Sequence, residues 1–261
     1  MIIDDTVPSA VDTIDTGEFH SGPEAGSALI GSVTHGVREL RFAVVDDLAI
    51  FEGDVVLGTV EEIDARRRQE GVVISGAVFR WPNAVVPFEV DPALPVPHRV
   101  FDAIAQWNSR TRIRFVPRTG AHGDFVRFVP SLSSRSPVGR QGGRQTIELA
   151  ATAPVGTVVH EMGHALGLWH EQSREDRGNF VAVRLDRVDP AHRHNFDQHI
   201  SDGDDVGRYD FGSIMHYPAT AFSITGQPTI LARVPVPPGV TMGQRSALSV
   251  GDVNAAHAIY P

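Results

Sequence analysis

Two different periods of apolar residues run along this chain, and they predict both helices and strands. In residues 97–109 the apolar side chains recur at helical spacing, so a helix is expected there. This stripe consists of Val100, Ile104 and Trp107, and Phe101 and Ala105 widen it. Short runs that alternate or stay apolar predict sheet strands. These runs cover residues 113–117, 125–129 and 145–149.

A second helix is expected to begin near Pro154 and to end at Gly167. Proline fits the first turn of a helix, where its missing N–H is not needed. Glycine readily adopts the left-handed conformation that ends a helix. Between them, His160 and His164 lie one turn apart on the same face. The opposite face is apolar, so the helix can bury one side and present two imidazoles on the other.

The first quarter of the chain has a weaker pattern than the rest. Residues 1–36 are rich in Asp, Ser, Thr and Gly with little periodicity, so a poorly ordered or loosely packed arm is expected. Residues 38–60 contain apolar runs that indicate brief strands or helices. Residues 61–70 are polar, as in a linker or an exposed helix. The arginines at 66–68 form either a solvated helix face or a site that a trypsin-like protease would cut.

Charge is distributed unevenly between this first quarter and the remaining chain. Residues 1–71 hold 15 acidic side chains and 5 arginines, a net charge of −10, whereas residues 72–261 hold 17 acidic side chains and 18 arginines, a net charge of +1. Such an asymmetry indicates two functionally distinct parts. We therefore expect an acidic N-terminal segment over residues 1–71 and a separate domain over residues 72–261. Neither part has a basic stripe that would indicate nucleic-acid binding.

Composition excludes some classes of protein and leaves others open. No run approaches the roughly 18 apolar residues that a membrane-spanning helix needs, so no membrane partner is expected. Residues 1–5 lack the basic and apolar regions of a secretory signal, which leaves a removed signal, another export route and cytoplasmic residence open. The chain contains no cysteine, so its stability must come from the core and from any bound metal.

The residues that carry chemistry cluster on the second helix and just after it. His160 and His164 share a helix face, and a turn at Gly167 can return His170 to the same point. Three neutral imidazole nitrogens with one open position are typical of a catalytic zinc site. Glu161 can reach a water molecule on the metal without being a ligand. The alternative is that these histidines are ordinary core or surface residues of an amphipathic helix.

The extended motif over residues 160–171 resembles the metzincin pattern of zinc peptidases. Glu171, directly after the third histidine, narrows the resemblance to the astacin family. Residues 209–218 resemble the Met-turn of that family, and residues 80–88 resemble a segment near the start of its mature enzymes. The resemblance covers nearly all of residues 72–261, and the absence of the family's usual disulfides is shared with some bacterial members.

The resemblance implies an α+β metzincin fold, in which a twisted mixed sheet and the zinc helix face a more irregular lower half across a cleft. It also implies a zinc-dependent endopeptidase with one zinc ion per chain, held by the three histidines. Glu161 would act as the general base on the zinc-bound water. Tyr217 would be a fifth zinc ligand that swings away and then donates to the oxyanion. Met215 would form an apolar floor beneath the imidazoles.

Residues 51–54, Phe-Glu-Gly-Asp, resemble a propeptide segment that crosses the active-site cleft in zymogens of this family. By that resemblance Asp54 binds the zinc in place of the catalytic water, and residues 1–71 form a pro-segment that keeps the enzyme latent. The alternative is an exposed glycine–aspartate turn between strands. The register of the mature segment places the new N-terminus near Val72, where Glu171 would bind its amino group. An activating protease could therefore be a partner.

Two other functions are compatible with the same residues. One is a permanently latent zinc-binding protein that serves as an interaction module. The other is a zinc-stabilised structural protein, which predicts a buried site with four protein ligands; the presence of Glu161 argues against it. For the peptidase, we expect an extracellular location and a protein or peptide substrate bound extended in the cleft. The substrate would pair with the edge strand near residues 139–145.

Overall fold

A computed structural model of the protein describes residues 18–31, 38–68, 77–198 and 205–261. We call the described residues up to 68 the N-terminal unit and those from 77 onward the C-terminal unit. The N-terminal unit contains β1 (Glu24–Ile30), β2 (Arg38–Val45), β3 (Leu48–Phe51), β4 (Val55–Thr59) and α1 (Val60–Arg68). The C-terminal unit contains β5 (Val85–Val90), α2 (His98–Arg110), β6 (Arg114–Pro117), β7 (Phe125–Ser131), β8 (Ser136–Pro137), β9 (Arg144–Ala150), α3 (Val155–Leu166), β10 (Val181–Val183), β11 (Ile230–Ala232) and α4 (Val250–Ile259).

The N-terminal unit is an antiparallel meander in which β1, β2, β3 and β4 are neighbours in that order. A two-residue turn joins β2 to β3, and its residues Asp46 and Asp47 have positive φ angles of 51° and 62°. Such a turn matches the twist of antiparallel strands. A small apolar core that includes Leu40 and Phe51 lies under the meander. The expectation of a loosely packed arm over residues 1–36 is therefore wrong for its described part, because β1 is paired with β2.

A short parallel pairing joins the two units. β4 of the N-terminal unit pairs with β8 of the C-terminal unit, so that Val55 lies beside Ser136. The main-chain N–H of Ser136 also donates a hydrogen bond to the carbonyl of Asp54 at 3.0 Å. These contacts hold the turn between β3 and β4 against the C-terminal unit.

The sheet of the C-terminal unit consists of four parallel strands in the order β6, β5, β7 and β9. An antiparallel bridge between Arg135 and Glu148 extends it beyond β9, so the sheet is mixed. Helix α3 packs against both α2 and β9. The apolar core between the sheet and the helices contains the buried side chains of Trp107, Phe128 and Met162. Burial of such large apolar groups is the dominant favourable term in folding.

The predicted elements of the C-terminal unit occur with their ends shifted by a few residues. The helix expected over residues 97–109 is α2, and the helix expected before Gly167 is α3. One detail is wrong, because Phe101 is 52% exposed and meets the ring of Phe88 only edge-on. Each α-helix within the described residues lacks the length or the apolar character that crossing a bilayer requires. The predicted boundary before Val72 lies outside the described residues.

Candidate metal centre

Helix α3 ends so that the chain can turn sharply a few residues after His164. Gly167 has a φ of 105°, a left-handed conformation that glycine adopts without a steric penalty. The carbonyl groups of the last two helical residues accept hydrogen bonds from the indole N–H of Trp81 at 2.8 Å and from the hydroxyl of Tyr260 at 2.9 Å. Because these carbonyls are satisfied, the helix can end inside the protein.

Three imidazole rings meet at one point as a result of this turn. His160 and His164 project from α3, and His170 returns to the same place after the turn. The ring centroids lie between 4.7 Å and 5.3 Å apart, and all three side chains are buried.

The outer nitrogen of each ring donates a hydrogen bond to an oxygen that can only accept. Nδ1 of His160 donates to the carbonyl of Ile214 at 2.7 Å, and Nδ1 of His164 donates to the carbonyl of Leu168 at 2.8 Å. Nδ1 of His170 lies 2.7 Å from a carboxylate oxygen of Glu52. In the neutral form of each ring, the proton is thus on Nδ1 and the lone pair is on Nε2.

Asp54 completes this group from the N-terminal unit. Its Oδ2 lies 3.1 Å from Nε2 of His160 and 3.2 Å from Nε2 of His170, and its Oδ1 lies 3.6 Å from Nε2 of His164. The four ligand atoms are buried and lie within 4.8 Å of one another. Burial would raise the pKa of Asp54, but the imidazoles, that of His170 first, lower it well below its usual range.

The donor set fits a zinc ion. Three imidazole nitrogens and one carboxylate oxygen are typical zinc ligands, and here their lone pairs face one another. In the absence of a metal, one bound proton removes the repulsion between lone pairs at only one of these nitrogen–oxygen contacts. Burial disfavours the charged form of His170, but Asp54 and Glu52 raise its pKa to about 9. Burial and the cation of Arg245 lower the pKa of His160 to about 4, so a second proton does not bind there. A divalent cation satisfies all four ligand atoms together.

The turn between β3 and β4 brings Asp54 into the centre. Glu52 and Gly53 in this turn have positive φ angles of 49° and 82°. A β-carbon on Gly53 would lie 2.9 Å from an aromatic ring of the C-terminal unit, so glycine is favoured at this close approach. Phe51 packs edge-on against Trp169 with ring centroids 5.7 Å apart and anchors the start of the turn.

Glu161 lies in the buried part of α3, and neither of its carboxylate oxygens has a hydrogen-bond partner among the described residues. Its burial raises the pKa well above the usual range, and the nearby carboxylates of Asp54 and Glu18 add to the shift. A buried carboxylate without a hydrogen-bond partner destabilises the folded state unless it binds a proton or lies beside a cation. The environment of Glu161 is therefore that of a functional acid or base.

Tyr217 and Met215 flank the centre from the lower half. The ring of Tyr217 lies 4.7 Å from that of His170, and its hydroxyl donates a hydrogen bond to the main-chain carbonyl of Glu52. Burial raises the pKa of Tyr217 well above its usual value, so the hydroxyl keeps its proton. Met215 packs under α3, since a β-carbon on Gly163 would lie 2.6 Å from its sulfur atom.

The Met-turn is itself held by Asp252, in the first turn of α4. This carboxylate accepts hydrogen bonds from the hydroxyl of Ser213 at 2.6 Å and from the N–H of Ile214 at 2.9 Å. Because the carbonyl of Ile214 orients His160, Asp252 supports the metal centre from a distance. The sequence pattern does not indicate this role, since the residues lie 38 and 39 positions apart along the chain.

Glu171 lies beside the centre at the edge of a cavity of about 100 Å³. Its carboxylate accepts a hydrogen bond from the N–H of Asp210 at 2.7 Å and lies 3.6 Å from the guanidinium of Arg174. Burial raises the pKa of Glu171 to about 8, although Arg174 opposes the shift. The amino group that we expect to bind there belongs to Val72, outside the described residues.

Two residues of the N-terminal unit that the sequence pattern does not single out also enter the cleft. Glu18 is buried, and one of its oxygens pairs with the guanidinium of Arg245 and lies 3.8 Å from Nε2 of His160. Phe19 packs on Tyr217, with ring centroids 4.7 Å apart. No local pattern in the polar stretch around these residues indicates their contacts.

Comparison with known proteins points to one family. The family model described as astacin, a peptidase family, matches residues 74–261. Zinc metalloproteinase nas-4 of Caenorhabditis elegans is 31% identical over 272 residues, which cover 99% of this chain and 82% of that protein. Zinc metalloproteinase nas-13 of the same species is 34% identical over 187 residues, which cover 70% of this chain and 41% of that protein.

A solved structure agrees with these matches. High choriolytic enzyme 1, a hatching enzyme zinc-protease from the medaka Oryzias latipes, has 32% sequence identity and a TM-score of 0.61, and the match covers 69% of this chain and 92% of that one. The chain spans about two fifths of the length of several of the curated relatives that it matches.

Proposed function

Since the chain belongs to the astacin family of peptidases, we propose that it is a zinc-dependent endopeptidase whose N-terminal unit keeps it latent. The observation that carries this proposal is the buried group of Asp54, His160, His164 and His170, because its fourth ligand comes from the N-terminal unit. Removal of that unit opens one position on the metal for a reaction, while the three imidazoles remain.

Zinc bound by the three histidines supplies Lewis acidity, which polarises a peptide carbonyl and lowers the pKa of a water molecule towards about 7. Within the chain, Glu161 accepts the proton of the attacking water and passes it to the leaving amine. Its unpaired carboxylate oxygens support this assignment. In the uncut chain burial, and after it the carboxylates of Asp54 and Glu18, raise the pKa of Glu161, so removal of the N-terminal unit should lower its pKa towards that of a working base.

Tyr217 donates a hydrogen bond to the oxyanion that develops when the carbonyl is attacked. In the uncut chain its hydroxyl donates instead to the main-chain carbonyl of Glu52. The turn that delivers Asp54 therefore also occupies this donor. Met215, packed against Gly163, holds the floor of the site in place.

The substrate is a protein or peptide that binds in extended form along β8, a few residues before the edge strand expected near residues 139–145. This strand has an edge that pairs with β4 in the uncut chain, in the parallel direction. Once β4 leaves, the main-chain groups of Ser136 and its neighbours become available to an extended peptide, which pairs antiparallel to them. Affinity then comes from main-chain hydrogen bonds, and preference comes from side-chain pockets.

Latency rests on more than Asp54 in this proposal. The carboxylate of Glu18 and the ring of Phe19 occupy the cleft beside Arg245 and Tyr217. An activating protease removes the N-terminal unit, and the new amino group near Val72 binds the carboxylate of Glu171. The raised pKa of Glu171 supports this role, because a largely buried carboxyl beside a cavity gains most from a new cation.

A closed structural zinc site is the second candidate, since the four buried ligands are what such a site requires. The same four ligands also suit the other alternative, a permanently latent protein whose zinc-bound unit serves as an interaction module. Glu161 favours the enzyme, because a structural site has no need of an unpaired buried carboxylate next to its ligands. An extracellular location is part of the proposal for the enzyme, since latency is most useful where an activating protease acts outside the cell.

The test compares uncut and trypsin-trimmed full-length protein in a casein or gelatin assay, with and without a chelator. Trimming should produce an activity that the chelator abolishes. Glu161→Gln should retain one zinc ion per chain and lose activity by about 100- to 10,000-fold, the usual contribution of a general base. Zinc binding without activity after trimming would instead support the structural candidate.

A further inference from the structure

The three metal-binding imidazoles differ in the origin of the group that orients them. His160 and His164 are held by main-chain carbonyls of the C-terminal unit. His170 is held by the carboxylate of Glu52, 118 positions earlier in the chain, with 2.7 Å between Nδ1 and the carboxylate oxygen. The third ligand is thus oriented by the unit that trimming would remove.

Glu52 is fixed in this position by several contacts. Its side chain is buried, and its second carboxylate oxygen accepts a hydrogen bond from the hydroxyl of Ser173. Its main-chain carbonyl accepts from the hydroxyl of Tyr217. A φ of 49° is uncommon for a residue other than glycine, and such strain persists only where the surroundings determine it.

We propose that Glu52 is a positioning residue for metal loading, which fixes His170 with its proton on Nδ1 and its lone pair on Nε2. A histidine ligand that donates its other N–H to a carboxylate is a better and better-oriented zinc ligand. Glu52 therefore acts with Asp54, which faces the metal directly, and the N-terminal unit prepares the site for zinc before it is removed. The proposal rests on the zinc site of the proposed function and not on peptide hydrolysis.

The proposal predicts that the N-terminal unit has two separable effects on the centre. Asp54 occupies the position that the reaction needs, whereas Glu52 strengthens a ligand that the reaction keeps. Loss of Glu52 should weaken zinc binding in the uncut chain and leave the trimmed enzyme unaffected, because the residue is then absent in either case.

The experiment measures zinc affinity of the uncut full-length chain by competition with a chelating dye. Glu52→Leu, which keeps the bulk and removes the acceptor, should bind zinc about 10- to 100-fold more weakly than wild type, the usual loss when the outer partner of a histidine ligand is removed. Glu52→Gln keeps an acceptor oxygen and loses the charge, so its zinc affinity should lie between those of wild type and Glu52→Leu. Glu61→Gln, an exposed change in the same unit, is the matched control.

One additional readout and one fallback variant separate positioning from a general loss of structure. The visible spectrum of the cobalt-loaded chain reports ligand geometry, and it should change in Glu52→Leu and not in Glu61→Gln. Should Glu52→Leu fail to fold, the affinity and spectrum of Glu52→Gln decide. Wild-type zinc affinity and cobalt spectrum in the folded Glu52 variants would overturn the proposal.

The casein assay after trimming is independent of this result. Trimmed Glu52→Gln should match trimmed wild type, since both have lost the residue. A weakened zinc site without any activity in trimmed wild type would sink the peptidase assignment and leave the role of Glu52 standing. If trimmed wild type were active and the uncut Glu52 variants bound zinc as wild type does, the peptidase assignment would stand and the role of Glu52 would be rejected.

Discussion

The two sides of the metal centre reach the same point by different routes. On the α3 side, His160 and His164 are carried by one helix and oriented by main-chain carbonyls of the C-terminal unit. On the opposite side, Asp54 is carried by a turn of the N-terminal unit, and Glu52 from the same turn orients His170. We call the α3 side, with His160 and His164, the intrinsic side. We call the side formed by Asp54 and Glu52 the borrowed side, because both residues come from the N-terminal unit.

The difference explains how one site can be both stable and latent. The intrinsic side lies within the large apolar core, where packing fixes the helix and its end. The borrowed side is joined by a parallel pairing of β4 with the short strand β8 and by buried side chains such as Glu18. Few main-chain hydrogen bonds need to break when it leaves. A substitution on one side, or at Gly167 between the two sides, therefore tests whether zinc affinity, stability or latency depends on both.

The largest effect is expected from Asp252→Ala, on the intrinsic side. The change leaves the hydroxyl of Ser213 and the N–H of Ile214 without their acceptor inside the protein. Two unsatisfied buried donors should lower the free energy of unfolding by about 3 kcal/mol. Because Ile214 orients His160, zinc affinity should fall as well. Chemical denaturation and dye competition measure the two quantities.

Ser249→Ala is the matched control for this change. Ser249 forms the capping box of α4 with Asp252, whereas the hydrogen bonds to the Met-turn come from Asp252 itself. Loss of the cap should cost about 1 kcal/mol and leave zinc affinity unchanged. Equal losses in the two variants would mean that Asp252 only caps the helix and does not support the intrinsic side.

The next largest effect is expected from Asp54→Asn, on the borrowed side. A neutral amide is a weaker zinc ligand and a weaker partner for the imidazoles, so the cleft of the uncut chain should open more often. Loss of one charge-assisted contact corresponds to about a 10- to 100-fold gain in casein hydrolysis by the uncut chain. Zinc should remain bound, because the three histidines are unchanged.

Asp47→Asn makes the same change of charge at an exposed turn of the same unit, and it should leave the uncut chain latent. Full activity should still require trimming in both variants, because Glu18 and Phe19 remain in the cleft. If the uncut Asp54 variant hydrolysed casein no faster than the control, latency would depend on the contacts of Glu18 and Phe19 and not on Asp54.

The intrinsic side is also the side that the sequence predicts well. The spacing of His160 and His164, the turn at Gly167 and the helix that contains them follow from local periods and local conformational preference. These rules act over a few residues, and the structure obeys them over the same few residues. The local pattern likewise places α2 and the strands β6, β7 and β9, but it does not predict β5 in the middle of the sheet.

The borrowed side is predicted only in part. Asp54 is identified through the resemblance of a four-residue segment, which no local rule supplies. Glu52 and Glu18 carry no signal of their own, because each contacts the site from more than 100 positions away along the chain. Their burial depends on the docking of one unit on the other, and single-sequence patterns do not encode such docking.

The junction between the two sides is tested by Gly167→Ala. Its φ of 105° is unfavourable for a residue with a β-carbon, so the substitution should cost about 1–2 kcal/mol of stability. A shifted turn also displaces His170, so zinc affinity should fall with stability. Gly120→Ala, in an open loop without a positive φ, is the control and should change neither quantity. Unaltered zinc binding in a destabilised Gly167 variant would show that His170 is placed by Glu52 alone.

The pH dependence of stability tests Glu171, where the new amino group near Val72 would take the place of the N-terminal unit after trimming. Burial raises its pKa to about 8 from an ordinary 4.5, so within this window the folded uncut chain holds a proton that the unfolded chain has released. Stability of the uncut wild type therefore falls as pH rises from 5 to 8, and Glu171→Gln, which has no such proton to release, should lose less stability than wild type over this range. Denaturation at several pH values measures the difference.

In the trimmed chain the new amino group should pair with Glu171 and lower its pKa. The fall in stability between pH 5 and pH 8 that Glu171 causes in the uncut chain should then disappear. Replacing the glutamate should then be destabilising at every pH from 5 to 8, because the amino group loses its partner. The reversal of sign between uncut and trimmed protein is the decisive observation, since simple burial of Glu171 would leave both forms with the same slope. Parallel pH profiles would mean that the intrinsic side gains nothing at this position when the borrowed side departs.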